Sequence, residues 1–505
     1  MKNVLEHRWS ITYSSLLIFL GLLVLTLAGP YAGGADSSGY LNSARLLYQG
    51  KIRADMRMPS ALPADAVSNQ VFKPLGFKAL LGANHLVPFY PPGFPLHLAV
   101  GNWLSEENGT LTVLLITSLV VSALTMAAGR LFGLSDSWNL IAALLMAFNP
   151  LFLSYALIPM SDVLATGWCL ATVMLAWLAE RRNWLACLCG AACSIAVLVR
   201  PTNILVLLPV AVLLKTDMRR WAYLVMGGLP GAAFLCVYQW TIWGSPFSSG
   251  YDGFGRLFSP AYFFAGIKHL TFWASVCLTP VIPVLFALSF LQKEHSRRTA
   301  MLYLWAGSFV LFYAFYRHST DSWLFTRFIL PAFPAIIVGG CLTGQHLCAQ
   351  LQNRSMALFA NRPKMRDALY ILGVFCLLLY LLLMAAEHRV HKMQRAQKAY
   401  SEAAHWATAN LPADTLIFCM EVSGSFYFYT DFSLVRWDHI DKKGWERWKA
   451  ISREKSGPPI VAALFSYETM EENALNGHIP GDWEKISETE AVSFYRLTRK
   501  KDYDK

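Results

Sequence analysis

The sequence LLVLTLAGPYAGGADSSGY (Leu22–Tyr40) leads from the end of a long apolar run to a single carboxylate, Asp36. An aspartate at this place can end a helix, cap the N-terminus of the next one, or accept a proton from a reacting group. The rest of the sequence is needed to decide between these interpretations.

The composition is that of a membrane protein. Of the 505 residues, 55% are hydrophobic and 15% are charged, whereas an average soluble domain has about 25% charged residues. Apolar runs long enough to cross a hydrocarbon core of roughly 30 Å recur along the chain. Hydropathy therefore predicts an all-α polytopic bundle of about eleven transmembrane helices. The runs lie near residues 11–29, 111–129, 138–158, 163–179, 184–199, 203–214, 221–243, 270–291, 299–316, 326–347 and 368–386.

The net charge of +11 follows the topology of such a bundle. Residues 387–505 are nearly balanced in charge, and the basic excess lies before them, largely in short loops. These loops contain Arg181/Arg182, Lys215/Arg219/Arg220, Lys293/Arg297/Arg298 and Arg354/Arg362/Lys364/Arg366. They are alternate loops, as the positive-inside rule predicts, so no nucleic-acid partner is expected. With the N-terminus inside, eleven crossings place residues 387–505 outside.

The sequence divides into a transmembrane domain, residues 1–386, and a small extracytoplasmic α/β domain, residues 387–505. Residues 1–35 resemble a signal peptide, but we expect an uncleaved anchor. A long extracytoplasmic loop, residues 30–108, interrupts the first domain. Its segments 41–50 and 84–104 are predicted to be amphipathic pieces that lie on the outer membrane surface. In the second domain, SEAAHWATANLP (401–412) predicts a helix, and TLIFCM, PPIVAALFS and AVSFYRLT predict strands.

Two acids on the predicted outer side lie within a few residues of a span end. Asp36 follows the first span, and Asp162 ends the short turn PMSD (159–162). For either residue alone, a role as an N-cap is about as good an interpretation as a functional role. Partial burial at a span end raises the pKa of a carboxylate unless a cation is near. Two such acids at the mouth of one bundle therefore favour a functional site.

Cations are predicted on the same side. Arg200 lies in the turn between two short spans, and Arg317, His318 and Arg327 occur in RHSTDSWLFTR (317–327). The planar guanidinium group can pair with two oxygens of a phosphate, although arginine also snorkels to lipid headgroups. These four residues are the candidate phosphate-binding residues.

Aromatic and polar residues of the long loops complete the predicted pocket. The candidates are Tyr40, His85, Tyr90 and Tyr251. Aromatic rings near a membrane surface also serve as interfacial anchors. A substrate that is part lipid, part phosphate and part polar head would use every element of this arrangement.

Six motifs occur in the order ADSSGYLNSARLLYQG, YPPGFPL, PMSD, VRPTN, GSPFSSGY and RFILPAFP. This ordered set resembles that of the GT-C membrane glycosyltransferases, in particular the bacterial branch similar to protein O-mannosyltransferases and lipid A aminoarabinose transferases. The resemblance covers residues 1–386, and the C-terminal module is similar to the exported domain of many such enzymes. Two departures are Tyr90, where the aminoarabinose transferases have a lysine before the double proline, and Ser37, where eukaryotic mannosyltransferases have a glutamate after the aspartate.

The resemblance implies an inverting transfer of a sugar from a polyprenyl-phosphate donor to a lipid, glycan or protein acceptor outside the cytoplasmic (inner) membrane. It implies that Asp36 is the general base on the acceptor hydroxyl or amine and that Asp162 is the supporting acid. Because the donor arrives activated, no nucleotide-binding loop is needed. No cofactor is identified, and a divalent metal stays possible.

Two other classes of protein compete with the enzyme. A transporter or flippase of a polyprenyl-linked lipid would also need cations and aromatic residues, but transporters place polar sites near the midplane on repeated, broken helices. The sequence has no repeat, and its polar residues cluster on one side. A receptor or scaffold displaying residues 387–505 would leave the long first loop without a purpose. The sugar, the acceptor and the role of the C-terminal module stay open.

Overall fold

The fold is built mostly from helices. A computed structural model describes residues 2–59, 68–80, 84–251, 253–291, 297–354, 363–453, 457–469 and 474–498. Up to residue 387 the helices are α1 (Lys2–Leu27), α2 (Ala35–Tyr48), α3 (Gly93–Ser105), α4 (Gly109–Phe132), α5 (Asp136–Phe148), α6 (Pro150–Ala156), α7 (Asp162–Leu178), α8 (Leu185–Val199), α9 (Leu207–Leu214), α10 (Met218–Trp243), α11 (Phe254–Leu257), α12 (Phe263–Cys277), α13 (Val281–Leu288), α14 (Arg297–Ala314), α15 (Phe333–Arg354) and α16 (Pro363–Glu387).

All eleven predicted apolar runs lie on helices, which confirms their helical nature. By length and composition, five helical segments of the described chain can cross a membrane, or up to seven if each of two bent helix pairs is one span. The pairs are α5 with α6, bent by 53°, and α12 with α13, bent by 115°. Segments 162–178, 185–199 and 201–214 are apolar but shorter. The predicted number of crossings therefore stays a prediction.

Small residues set the closest helix approaches. A β-carbon at Gly190 of α8 would meet the backbone of Leu224 in α10, and one at Gly227 of α10 would meet the backbone of Cys187 in α8. Glycine therefore lets these two backbones touch, as is usual between helices in lipid. The contact with α10 fixes the position of α8, and Arg200 directly follows the last residue of α8.

The first loop is ordered around α2 and a small antiparallel sheet. Its strands are β1 (Ala54–Asp55), β2 (Phe77–Ala79) and β3 (His85–Pro88), in the order β1-β3-β2. The prediction that segment 41–50 lies on the membrane surface is wrong, because most of α2 is buried. It packs against α3 and against a helix of the C-terminal region, Ser423–Tyr429. Burial on both sides turns α2 into a core helix.

The C-terminal region contains a mixed five-stranded sheet. Its helices are α17 (Met393–Asn410), α18 (Ser423–Tyr429) and α19 (Lys442–Arg453), and its strands are β4 (Leu416–Cys419), β5 (Ser433–Arg436), β6 (Ile460–Phe465), β7 (Trp483–Glu488) and β8 (Val492–Leu497). The strand order is β5-β4-β6-β8-β7. β4 is parallel to β5 and β6, whereas β8 is antiparallel to β6 and β7. The predicted helix overlaps α17, and the three predicted strands contain β4, β6 and β8.

The core of this sheet extends into the first loop. Leu46, Phe72 and Phe77 of the loop belong to the same buried cluster as Phe418 and Trp448. Apolar packing thus crosses the predicted boundary at residue 386, and the first loop and the C-terminal region share one core. Burial of this apolar area holds α2 from the side opposite to the bundle.

Gly93 gives a test of the packing around the VRPTN turn. A β-carbon there would meet the backbone of Leu198 and Val199, so we expect Gly93→Ala to destabilise the protein by about 1–3 kcal/mol through overpacking. Thermal unfolding in detergent measures the change. The control is Gly373→Ala in α16, where nothing lies within 4 Å of the added carbon. Equal melting temperatures for the two variants would contradict the close approach of α3 to this turn.

Candidate active site

Asp36 and Asp162 both lie in the first turn of a helix, and neither is a cap. The N-cap residues are Gly34 for α2 and Ser161 for α7, and neither helix has a side-chain cap hydrogen bond. The cap interpretation is therefore wrong for both acids. Each carboxylate is directed instead to an arginine, while the positive end of its own helix still favours the negative charge.

Arg200 is placed by the proline that follows it. A residue before proline avoids the α region, and Arg200 accordingly has extended backbone angles between α8 and the 3-10 helix Pro201–Val206. Its Nη2 lies 2.8 Å from Oδ1 of Asp162, and its Nε donates a hydrogen bond of 3.0 Å to Oγ of Ser161. The VRPTN turn thus directs its guanidinium group onto the PMSD turn.

Arg327 connects the two acids. It lies in the 3-10 helix Trp323–Ala332. Its Nη2 donates a hydrogen bond of 2.7 Å to Oδ2 of Asp36, and its Nη1 is 4.0 Å from Oδ2 of Asp162. Arg327 therefore joins α2 to α7, two helices far apart in sequence. We call Asp36, Asp162, Arg200 and Arg327 the charged cluster.

The charged cluster has no net charge and is mostly buried. The side chain of Asp162 has no exposed surface, those of Arg200 and Arg327 are 12% exposed, and that of Asp36 is 31% exposed. Buried charges in proteins persist where they are paired. Asp36 is thus the member of the cluster that solvent or a substrate reaches most easily.

Asp36 is held in its ionised form. Burial favours the protonated acid, but the charge of Arg327 and the hydrogen bond from Tyr90 outweigh it and lower the pKa of Asp36 below its usual value. The hydroxyl of Tyr90 donates to Oδ1 of Asp36 over 2.5 Å. A carboxylate fixed by two donors on different oxygens has a defined orientation.

Tyrosines surround the cluster as neutral groups. Tyr40 shares a hydrogen bond of 2.9 Å with Ser161, and its ring centroid lies 4.7 Å from that of Tyr90. Burial raises the pKa of Tyr40 to about 12 and that of Tyr90 well above its usual value. Tyr251, partly exposed, contacts Phe89 at 5.1 Å between centroids, next to Tyr90. The structure thus brings these three predicted pocket residues together near Asp36.

Three predicted site residues lie apart from the cluster. His85 is exposed on β3, where it pairs with Asp55 at 3.0 Å. His318 binds Asp321 at 2.7 Å, and Arg317 is exposed. None of the three has an ion pair or hydrogen bond with the charged cluster among the described residues, although the ring of His318 lies 6.4 Å from that of Phe325, which the guanidinium group of Arg327 faces. Their roles stay predictions.

Sequence reasoning missed three residues of the site. Ser161 bridges Tyr40 and Arg200, and the guanidinium groups of Arg200 and Arg327 lie 5.7 and 5.1 Å from the ring centroid of Phe328. The ring centroid of Tyr155 lies 5.5 Å from the guanidinium carbon of Arg327. Two signals were present, since Ser161 precedes Asp162 and Phe328 follows Arg327. Contact with aromatic faces stabilises and orients the arginines.

The acids of the site do not form part of a larger group of metal-ligating side chains within the described parts of the chain. The described residues contain no group of three or more His, Cys, Asp or Glu side chains that could hold a metal ion. The two carboxylates of the cluster each face an arginine instead.

The fold is shared with solved membrane glycosyltransferases. No protein-family model and no curated protein matches the chain. ArnT from Cupriavidus metallidurans bound to undecaprenyl phosphate is similar in structure, with a TM-score of 0.59 and 14% identity over 97% of this chain and 98% of that chain. These similarities confirm the predicted resemblance to GT-C proteins at the level of the fold.

Two further structures show the same architecture. Archaeal oligosaccharyltransferase AglB from Archaeoglobus fulgidus, in complex with an inhibitory peptide and a dolichol-phosphate, has a TM-score of 0.51 and 13% identity over 97% of this chain and 74% of that chain. Arabinofuranosyltransferase AftD from Mycobacteria has a TM-score of 0.52 and 12% identity, and this chain covers 40% of its length. The chain is thus a membrane protein of the GT-C fold.

The burial of Asp162 gives a test of the cluster's contribution to stability. Arg200→Met should lower the free energy of unfolding by about 3–5 kcal/mol, because a buried carboxylate loses its nearest cation. The double variant Asp162→Asn/Arg200→Met should recover part of this loss in thermal unfolding. Arg130→Met, which breaks a half-exposed pair with Asp136, serves as the control and should cost less than about 1 kcal/mol. A double variant no better than Arg200→Met would argue against the pairing.

Proposed function

We propose that this GT-C-fold protein is an inverting glycosyltransferase that moves a sugar from a polyprenyl-phosphate donor to a hydroxyl or amine acceptor. The observation that supports it best is the ionised carboxylate of Asp36, oriented by Tyr90 and Arg327 at the exposed edge of an otherwise buried cluster. Such a group can accept the proton of an arriving nucleophile. The two arginines behind it can meet the charge that develops on a leaving phosphate.

The reaction balances with these groups alone. Asp36 takes the proton of the acceptor O–H or N–H, and the acceptor atom forms a bond to the anomeric carbon of the sugar. The bond between that carbon and the phosphate oxygen breaks, and its electron pair leaves on the polyprenyl phosphate. A phosphate monoester has a second pKa of about 6, so it departs without a strong general acid. A single displacement inverts the anomeric centre.

The arginines stabilise the leaving group in this scheme. The charge on the phosphate increases by one as the bond breaks, and preorganised cations in a water-poor site stabilise such charge efficiently. Arg327 and Arg200 are held by aromatic faces and by Asp162, so they need little reorganisation. Asp162 acts as the supporting acid by fixing both guanidinium groups. The roles of Arg317 and His318 at the phosphate, and of His85 and Tyr251 in the pocket, remain part of the proposal.

The neighbouring structures support the substrate class. ArnT was solved with undecaprenyl phosphate, and AglB with a dolichol-phosphate and an inhibitory peptide. Both lipids are polyprenyl phosphates, and the three neighbours are all transferases. This favours a sugar transferase over a lipid flippase for the present chain. The acceptor in this proposal is a lipid, a glycan or a protein.

We place the site on the extracytoplasmic face of the cytoplasmic membrane, with eleven crossings and residues 387–505 as an exported domain. Asp162 begins α7, and Glu180 follows its end. Glu180 pairs with Arg297 and with Lys215, which belong to the basic loops. A helix of 17 residues separates the two ends by about 25 Å. The charged cluster therefore lies at the end of α7 opposite to the loops that the positive-inside rule assigns to the cytoplasm.

Asp36→Asn tests the proposed base. Loss of a general base costs about 10²–10⁴-fold in rate, so we expect transfer from a labelled polyprenyl-phosphate sugar to fall by at least about 100-fold in membranes that contain the variant. Asp136→Asn is the control, because Asp136 forms an Asp–Arg pair at the other end of the bundle. Transfer by Asp36→Asn at the rate of the control would show that Asp36 is not the base.

Tyr90→Phe tests how Asp36 is tuned. The hydrogen bond from Tyr90 lowers the pKa of Asp36, so its removal raises that pKa. Because the base must be ionised, activity falls as the pH drops through its pKa, and the acid limb of the pH–rate profile should move to higher pH. The measurement is kcat/KM for the acceptor from about pH 2.5, which is below the usual aspartate pKa of about 3.9, up to about pH 8. An unchanged acid limb would show that Tyr90 does not set the pKa of the base.

A further inference from the structure

The charged cluster is balanced before any substrate arrives. Two carboxylates face two guanidinium groups, and each arginine has an anionic partner within 2.8 Å. Tyr40 and Tyr90 add no charge, since burial raises their pKa values. A donor phosphate brings a further negative charge into this neutral, largely buried group. This charge is compensated if one carboxylate gives up its arginine to the phosphate.

The two pairs differ in how easily they can open. Asp162 has no exposed surface, and its Oδ1 and Oδ2 accept no hydrogen bond of ordinary geometry from the described residues. Separating it from Arg200 would leave this fully buried charge with only the more distant Arg327, at 4.0 Å. Asp36 is 31% exposed and keeps the hydrogen bond from Tyr90 if the one from Arg327 is lost. The pair of Asp36 and Arg327 is therefore the one that a competing anion can open.

Arg327 remains in place without Asp36. Its guanidinium carbon lies 5.4 Å from the ring centroid of Phe325 and close to those of Phe328 and Tyr155. Its Nη1 also lies 4.0 Å from Asp162. Its Nε is buried and without a hydrogen-bond partner among the described residues. A fixed guanidinium group with an unused donor suits the oxygens of a phosphate.

We propose that the donor phosphate takes Arg327 from Asp36, so that Asp36 becomes an effective base only when the donor is bound. This inference rests on the proposed function and deepens it. While Arg327 is paired with Asp36, the carboxylate is a weak proton acceptor. Donor binding removes that pairing, and Tyr90 acts as the positioning residue that keeps Asp36 aimed at the acceptor. Acceptor activation thereby follows donor binding.

The test is a binding measurement, because binding reports Asp36 as a competitor for Arg327 and does not depend on its role as the base. Undecaprenyl phosphate is titrated into the purified full-length protein in detergent, in the wild type and in Asp36→Asn. Removal of the competing charge should tighten binding by about tenfold or more, although the same variant loses transfer. Asp136→Asn is the matched control and should bind as the wild type does.

A double variant shows whether the gain in affinity for undecaprenyl phosphate depends on Arg327. In the Arg327→Ala background, Asp36→Asn should give no further gain, because the contested cation is gone. Equal binding by the wild type and Asp36→Asn, or a gain that persists without Arg327, would overturn the exchange. Failure of the wild type to bind undecaprenyl phosphate at all would instead count against the proposed function. The two failures are thus distinguishable.

Discussion

The structure of the site depends on the cost of leaving a charge unpaired in a lipid-immersed bundle. Arg327 meets this constraint by contacting Asp36 and Asp162 at once. Apolar helices can slide or rotate against one another at little cost, since their surfaces are alike, whereas an ion pair accepts one arrangement. The buried pairs thereby fix how α2, α7 and the segment Trp323–Ala332 meet, and the same contacts create a site of defined charge.

Sequence reasoning found the members of the charged cluster but not their pairing. Asp36 and Asp162 stood out because an acid near a span end is expensive, and Arg200 because of its place in the VRPTN turn. Which arginine binds which acid depends on tertiary packing, and no periodicity reports it. Phe328 was missed for the same reason, since an aromatic residue in an apolar run is ordinarily taken as core.

The error over α2 has a similar origin. An amphipathic helix beside a membrane has two ways to cover its apolar face, namely lipid or protein. The sequence of α2 is the same in both cases, and the deciding partner, α18, lies almost 400 residues later in the chain. The same reasoning explains why strands β4, β6 and β8 were predictable: their apolar runs are local, and their turns are marked by proline, glycine and polar residues.

The packing of the C-terminal region also indicates what that region does for the site. Asn42 of α2 donates a hydrogen bond of 2.9 Å to the carbonyl oxygen of Gly424, and Arg45 donates one of 2.7 Å to that of Phe428. The amide of Ala32 donates to the hydroxyl of Tyr429 over 2.9 Å. These contacts bracket Asp36 on both sides in sequence. The C-terminal region therefore holds the helix that bears Asp36 against the charged cluster, and a mobile α2 would lose the alignment of the carboxylate with Tyr90 and Arg327.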